Sequence, residues 1–374
     1  MTLSDTYAGR SIFVTGHTGF KGAWLSEWLL ALGADVTGYA LEPPTQPNLF
    51  DALELGGRLR HLVADVRDRD RLTTAVQAAQ PSVIFHLAAQ AIVRRAYAEP
   101  RETFETNVMG TVNVLDAARV CPSVRAVVIV TSDKCYQNLE DGRPFRETDP
   151  MGGRDPYSAS KGCAELVTAA YRESFFAGGT PAATVASARA GNVIGGGDWA
   201  ADRIIPDCVR ALAAGEPIVV RNPDAVRPWQ HVIEPLSGYL WLAALMLRDG
   251  RRFEGPWNFG PADHDADRTV RWVVERFVEA WGSGSWTTPA DTAPQPHEAH
   301  ALSLDSTRAR EALGWRPAWD AGTAVRQTAA WYREYYRAPA SARETLSRQL
   351  GAYQEAASAA GLPWAAAAVG GSVG

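Results

Sequence analysis

Short apolar runs rich in β-branched residues alternate with amphipathic stretches through the first half of the chain. The runs at 11–15 (SIFVT), 35–40, 59–63, 82–87 (SVIFHL) and 126–131 (AVVIVT) read as buried strands. Helical patterns fill 22–32, 69–79 and 102–119. A longer one runs from 156 to 176, ahead of a strand at 183–188. Strands alternating with helices predict an α/β fold. Its core would be a doubly wound parallel sheet with right-handed crossovers and helices on both faces.

The texture changes after Gly191. Gly195, Gly196 and Gly197 mark a flexible loop, and Pro206, Pro217, Pro223 and Pro228 punctuate short elements. This predicts a first domain over 1–190, a smaller C-terminal substrate-binding lobe over 191–364, and a flexible tail over 365–374. Segments at 257–260 and 269–281 are expected to return to the main sheet. A chain of 374 residues suits two domains, or one large α/β domain with a lobe.

Hydrophobic residues make up 46% and charged residues 21%, the balance of a folded globular protein. The formal net charge is −5 and no Lys/Arg-rich run occurs, which argues against a nucleic-acid partner. No apolar stretch reaches the roughly 18–20 residues that span a membrane. The first ten residues lack the basic segment and apolar core of a signal peptide. Cys121, Cys135, Cys163 and Cys208 make neither a CxxC pair nor a zinc spacing. They read as reduced, mostly buried thiols of a cytoplasmic protein. No metal is expected, including at His297 and His300 in a Pro-rich loop.

Gly16-His-Thr-Gly19-Phe-Lys-Gly22 follows the first strand directly and opens the first helix. The glycine pattern alone is weak evidence. Strand, glycine turn and helix in succession make it a dinucleotide-binding turn. The glycines let the backbone approach a pyrophosphate, and the helix N-terminus offers free N–H groups and the positive end of a dipole. NAD is expected rather than NADP: the second strand ends in Tyr39-Ala40-Leu41, Glu42 is the nearest acid, and no arginine stands there for an extra phosphate. Asp65 and Val66, after the third strand, are placed to meet the adenine. His17 and Lys21 read equally as phosphate contacts or as solvated loop residues, and His86 as structural.

Tyr157 and Lys161 stand four apart, on one face of the predicted helix. An ammonium near a phenol favours the phenolate and lowers its pKa. Ser132 ends the fifth strand, and sites in open α/β sheets lie at the carboxyl ends of strands. Its hydroxyl there would meet a substrate oxygen or Tyr157.

The GxxGxxG turn, the strand-end serine and the Tyr-x-x-x-Lys pair together resemble the extended short-chain dehydrogenase/reductase superfamily, over roughly 11–317. The resemblance implies a Rossmann-type domain that binds NAD. Asp133-Lys134 directly follows Ser132, where thymidine-type dehydratases usually carry Asp-Glu. That pair, with GHTGFKG (16–22), HLAAQ (86–90), DPYSASKG (155–162), GNVIGGGDW (191–199) and RPWQHV (227–232), resembles the CDP-glucose 4,6-dehydratases.

That family implies a hydro-lyase with no net redox change. The sugar is oxidised at C4, water leaves from C5 and C6, and the hydride returns to C6. By this resemblance Tyr157 takes the 4-hydroxyl proton, Ser132 orients that hydroxyl, and Lys161 tunes Tyr157 and holds the nicotinamide ribose. Asp133 protonates the departing 6-hydroxyl, for which its pKa must be raised. Lys134 acts at C5, either as the base or as a stabiliser of the enolate. Thr18, Phe20, Leu87, Ala88, Ala89 and Asn107 join the cofactor site, and Gln90 the substrate site. Arg203 and Arg227 hold the diphosphate, with Arg221 a further choice. Asn192 takes the sugar–phosphate link and Asn258 the phosphate or base region. Of the adjacent Arg94 and Arg95, at most one faces the site. Trp24 and Trp28 read as core, and Trp199 and Trp229 as pocket walls. The superfamily also implies a homodimer through helices 102–119 and 157–176, with a tetramer as the alternative.

Three other readings compete. The same chemistry serves a dTDP- or UDP-sugar. A nucleotide-sugar 4-epimerase shares the cofactor site but has no use for Asp133-Lys134. A non-catalytic NAD-sensing protein has no need to keep Ser132, Tyr157 and Lys161 together.

Overall fold

The computed structural model describes residues 2–178, 183–262, 265, 268–289 and 302–365. The apolar runs form strands β1 (Ser11–Thr15), β2 (Asp35–Ala40), β3 (Arg60–Val63), β4 (Val83–His86), β5 (Ala126–Val130) and β6 (Thr184–Ala190). A seventh, β7 (Gly255–Phe259), comes from the second half of the chain. The spatial order is β7-β6-β5-β4-β1-β2-β3, and every ladder is parallel. Parallel strands covered on both faces need apolar side chains throughout, and β4 and β5 are buried along their whole length. The chain winds outward from β1 to β3, then crosses back to β4 and winds the other way. That reversal leaves a crevice above the carboxyl ends of β1 and β4.

The return of 257–260 to the main sheet holds. The return of 269–281 does not: helix Val270–Trp281 packs on helices Ile204–Ala214 and Ala321–Arg337 instead. Its start is tied into the lobe, where Thr269 bridges Val226 and caps the helix through Trp272 N. The continuous helix expected over 102–119 is split by a widened turn at Glu105–Met109, between Pro100–Phe104 and Gly110–Arg119. A second widened turn, Arg172–Phe176, ends the helix that begins at Pro156.

One apolar cluster runs without a break from the sheet to the C-terminal helices. Helix Ile233–Asp249, buried nearly all round, packs against β5 and β6, so the second half contributes to the main body. Trp24 and Trp28 are fully buried in this cluster. Helices Ala321–Arg337 and Ala342–Ala359, which the hydrophobic pattern did not bring out, bring Trp331, Tyr332 and Tyr353 to it. Of the tail, only Ala365 lies within the described residues; His297 and His300 lie outside them. Among the described residues no helix is long and apolar enough to cross a membrane, and no three His, Cys, Asp or Glu are grouped to hold a metal. All four cysteines are free.

A carboxyl group sits inside this core. Glu234 accepts hydrogen bonds from Tyr353 Oη at 2.6 Å and from the N–H groups of Ala318 at 3.1 Å and Trp319 at 2.7 Å. Burial nevertheless pushes its carboxyl up to about 7, from an ordinary 4.5. Between those values the folded state holds the proton that the unfolded chain has lost. The stabilisation is therefore full below the lower value and is lost as pH rises through the upper one. Glu234→Gln keeps an acceptor and removes the ionisation. Thermal unfolding followed between pH 5 and 8 is expected to show a Tm that falls less steeply with pH in the variant. Parallel curves would contradict this account.

Candidate active site

A cleft of about 770 Å³ opens at the reversal of the sheet, walled by the glycine turn, the ends of β2 to β6, and loops of the second half. Its floor begins with three glycines that play different parts. A Cβ on Gly16 would lie 2.6 Å from Ala88 N, and one on Gly22 would lie 2.1 Å from Gly16 O. The chain's own packing therefore requires both, and Gly16 also has a φ of +76°. A Cβ on Gly19 would meet only Gly16 O, at 3.4 Å. The fold does not need glycine there, so its bare backbone leaves room for a ligand. Gly19 is the N-cap of helix Phe20–Ala31, without a side-chain cap and with no acid in the first turn. The dipole end faces the cleft, and an anion completes it.

Thr18, Phe20, Asp65, Val66, Leu87, Ala88 and Ala89 line this part of the cleft. The Asp65 carboxylate is already engaged by Arg67, at 2.9 Å and 2.6 Å. Asn107 is a correction. It sits behind the wall, exchanging hydrogen bonds with Gln90 N at 2.8 Å and Gln90 O at 3.0 Å and donating to Ser160 Oγ at 2.9 Å. The widened turn at Glu105–Met109 points it inward, where it holds the loop after β4 rather than a ligand. Gln90 lines the cleft, but its carboxamide is bound to Thr103 and Ile92 N. His17 is neither a phosphate contact nor solvated. It is fully buried with its ring on His61 at 2.7 Å, and burial pushes it down to about 3. His86 bridges Thr15 and Thr111, a structural place.

Ser132, Asp133, Lys134, Tyr157 and Lys161 line the same cleft, at the end of β5 and on the first turns of helix Pro156–Tyr171. Asp155 caps that helix through Ser158 N, and Pro156 opens it, which sets Tyr157 at the cleft wall. Asp133 is buried: its Oδ1 accepts from Ser132 Oγ at 2.9 Å, and its Oδ2 has no partner. Burial raises its pKa, against the pull of Lys134, Ser132 and Arg227. A carboxyl with a raised pKa and one buried oxygen left without a partner suits a proton donor.

Tyr157 departs from expectation. Burial pushes its phenol up to about 12, while Ser132 and Arg203 pull it down and Asp133 pushes it further up. The Lys161 ammonium donates to Val130 O at 3.3 Å, and burial brings it down to about 8. Desolvation sets the direction of the phenol's shift, and Ser132 and Arg203, rather than the lysine expected to do so, are the groups that pull it down.

Arg203, Arg221, Arg227, Asn192, Trp199 and Trp229 line the second-half wall. Arg203 is paired with Asp198 at 2.8 Å and Arg221 with Asp202 at 3.3 Å. Arg94 and Arg95 both line the cleft, although adjacency predicted one at most. Asn258 is the second correction. It is fully buried within β7, accepting from Tyr136 Oη at 2.7 Å and donating to Phe145 O at 2.9 Å, away from the cleft.

Lys21 is the residue that sequence reasoning undervalued. It lines the cleft, its ammonium lies 5.8 Å from the Tyr239 ring, and burial beside Lys161 and Arg203 brings it down to about 7. A compositional signal was available. The chain has only three lysines among 37 Lys and Arg residues, and all three line this cleft.

Comparison with known proteins places this geometry among relatives. Residues 13–328 match the family model described as GDP-mannose 4,6 dehydratase. The chain is 47% identical over 344 residues to the CDP-glucose 4,6-dehydratase of Salmonella typhimurium, covering 90% of this chain and 94% of that one. It is similar to the dTDP-glucose 4,6-dehydratase of Streptomyces venezuelae solved with NAD, with a TM-score of 0.72 and 27% identity over 86% of this chain and 97% of that one. The NAD complex of the Thermus thermophilus UDP-glucose 4-epimerase has a TM-score of 0.71 and 26% identity, over 86% of this chain and 98% of that one.

Proposed function

The chain belongs to the GDP-mannose 4,6-dehydratase family, and from that premise we propose that it converts CDP-glucose to CDP-4-keto-6-deoxyglucose and water with NAD. The observation that carries the reading is the cleft itself. It joins a dinucleotide cradle to a buried carboxyl with a free oxygen, a phenol and three lysines. The cradle fits NAD, since Gly19 presents bare backbone to the helix N-terminus. Held there by the glycine turn and the residues that line it, NAD would supply the acceptor for the C4 hydride and its source at C6.

The chain's own groups handle the protons. Tyr157 Oη receives the proton of the 4-hydroxyl, with Ser132 Oγ orienting that hydroxyl. The new ketone makes the C5 hydrogen acidic. Lys134 faces C5, as base or as the charge that stabilises the enolate, and a proton returns to C5 when the hydride reaches C6. Asp133 Oδ2 delivers a proton to the departing 6-hydroxyl. Arg203, Arg221 and Arg227 neutralise the diphosphate, and Asn192 meets the sugar–phosphate link. The assignment of CDP rests on the 47% identical relative and on Asp133-Lys134.

The same reading divides the chain into an NAD-binding part over 1–190 and a mainly substrate-binding lobe over 191–364. It places two copies together through helix Pro156–Tyr171 and the segment from Pro100 to Arg119. Exposed Phe104, Met109 and Leu166 on those elements support that face. Free thiols support a cytoplasmic place.

CDP-glucose deuterated at C4 tests the reading. The deuterium is expected at C6 of the product, and none of it in the medium. Product without deuterium at C6 would sink it. Gly19→Ala tests the cradle: NAD affinity measured by calorimetry is expected to weaken at least about tenfold with the fold retained. Unchanged affinity would show that the backbone of Gly19 is not approached.

A further inference from the structure

One buried ion pair bounds the turn that carries the reactive groups. Glu165 and Arg189 lie 2.7 Å apart, each with a side chain only 4% exposed. Glu165 Oε1 accepts from the Thr131 hydroxyl at 2.5 Å, and its Oε2 accepts from Ser187 Oγ at 2.7 Å. Thr131 immediately precedes Ser132. Arg189 donates to Tyr136 Oη at 2.7 Å, and its guanidinium lies 4.8 Å from the centre of that ring. Tyr136 immediately follows Cys135. The two partners therefore hold opposite ends of the segment that carries Ser132, Asp133 and Lys134. Lys161, one helical turn before Glu165, donates to Val130 O at 3.3 Å. Consecutive residues at the end of β5 are thus gripped by the helix that presents Tyr157.

We propose that Glu165 and Arg189 are positioning residues, whose ion pair fixes the turn carrying Ser132, Asp133 and Lys134 against the helix carrying Tyr157 and Lys161. A buried ion pair is a poor source of net stability, and apolar packing of equal volume often does as well. A planar guanidinium and a carboxylate with several partners fix directions that apolar packing leaves loose. The kinetic consequences rest on the dehydratase reading; the electrostatic one does not.

Glu165 also acts through its charge. Burial pushes its carboxyl up, but Arg189 and the hydrogen bonds from Arg189, Thr131 and Ser187 hold it below the ordinary range. It therefore stays ionised beside Lys161, where it is the largest influence opposing the effect of burial on that ammonium. The other titratable groups that face Lys161 are Cys135 in the turn, His86 at the end of β4, and Lys21 on helix Phe20–Ala31.

The scarcity of lysine makes this measurable. The full chain labelled with ¹³Cε-lysine gives three lysine resonances, from Lys21, Lys134 and Lys161. The one missing from Lys161→Met identifies Lys161. Three variants separate position from charge: Thr131→Val, Glu165→Gln, and Glu165→Gln with Arg189→Gln. The double variant leaves no unpaired buried charge, so it keeps the test open if Glu165→Gln unfolds.

Thr131→Val is expected to lower kcat about tenfold with KM nearly unchanged and the Lys161 midpoint unmoved, as a displaced turn demands. Both Glu165 variants are expected to lower the Lys161 midpoint by about half a pH unit or more, and to move the basic limb of the kcat profile by the same amount. A merely structural pair would lower Tm and leave midpoint and pH profile in place. That result, or wild-type turnover in the double variant, would overturn the proposal. If the wild type fails to dehydrate CDP-glucose, the substrate reading falls, and the lysine titrations still decide the role of the Glu165 charge.

Discussion

Tyr157→Phe is expected to lower kcat for the loss of water from CDP-glucose about 10³-fold, within the usual range for removing a general base. The ring stays and only the hydroxyl goes, so the wall of the cleft keeps its shape. The phenol lies at the end of the helix nearest Ser132, buried, with Ser132 and Arg203 the groups that favour its ionised form. Lys161 is committed to Val130 O, and burial raises the Asp133 carboxyl, which leaves Tyr157 as the group assigned to the 4-hydroxyl proton. KM should change little, because the substitution leaves in place the arginines proposed to grip the diphosphate. Steady-state kinetics with product followed by mass spectrometry decides it. A kcat within tenfold of wild type would send the proton elsewhere.

Asp133→Asn is expected to separate the steps. Asparagine matches the shape and can keep an oxygen toward Ser132, but it has no acidic proton for the 6-hydroxyl. Water loss should fall about 10²–10³-fold, while removal of hydrogen from C4 continues. Rapid quenching should then reveal a 4-keto sugar that retains its 6-hydroxyl, two mass units lighter than the substrate. The orphaned Oδ2 and the raised pKa of this carboxyl both point to that role. Normal dehydration by the variant, or loss of every step together, would remove Asp133 from it.

Much of this was legible in local pattern. Apolar runs of five or six residues between helical stretches predicted the sheet, because a strand covered on both faces leaves a continuous hydrophobic record. Glycine spacing and the strand-end position of Ser132 placed the site, because both are features of one loop each. What escaped depends on contacts between distant elements. Nothing in the neighbourhood of Asn258 says that Tyr136 and Phe145 will occupy its amide. Asn107 lies in a helix whose widened turn redirects it, and that turn has no simple sequence mark. Glu165 and Arg189 are 24 positions apart in sequence, and only the packing of the helix on β6 brings them together. The Tyr157 shift was misjudged in sign, because spacing shows a lysine neighbour and not the depth of burial. Lys21 was the missed opportunity: its meaning lay in the rarity of lysine along the whole chain.

The central claim is a dehydratase acting on a cytidine diphosphate sugar. The most direct test is to incubate the purified protein and NAD with CDP-, dTDP-, UDP- and GDP-glucose in separate reactions and weigh the products. The account predicts loss of one water from CDP-glucose with no accumulation of NADH. Loss of water from another nucleotide sugar alone would contradict the cytidine assignment, and unchanged mass with an inverted 4-hydroxyl would contradict the dehydratase itself.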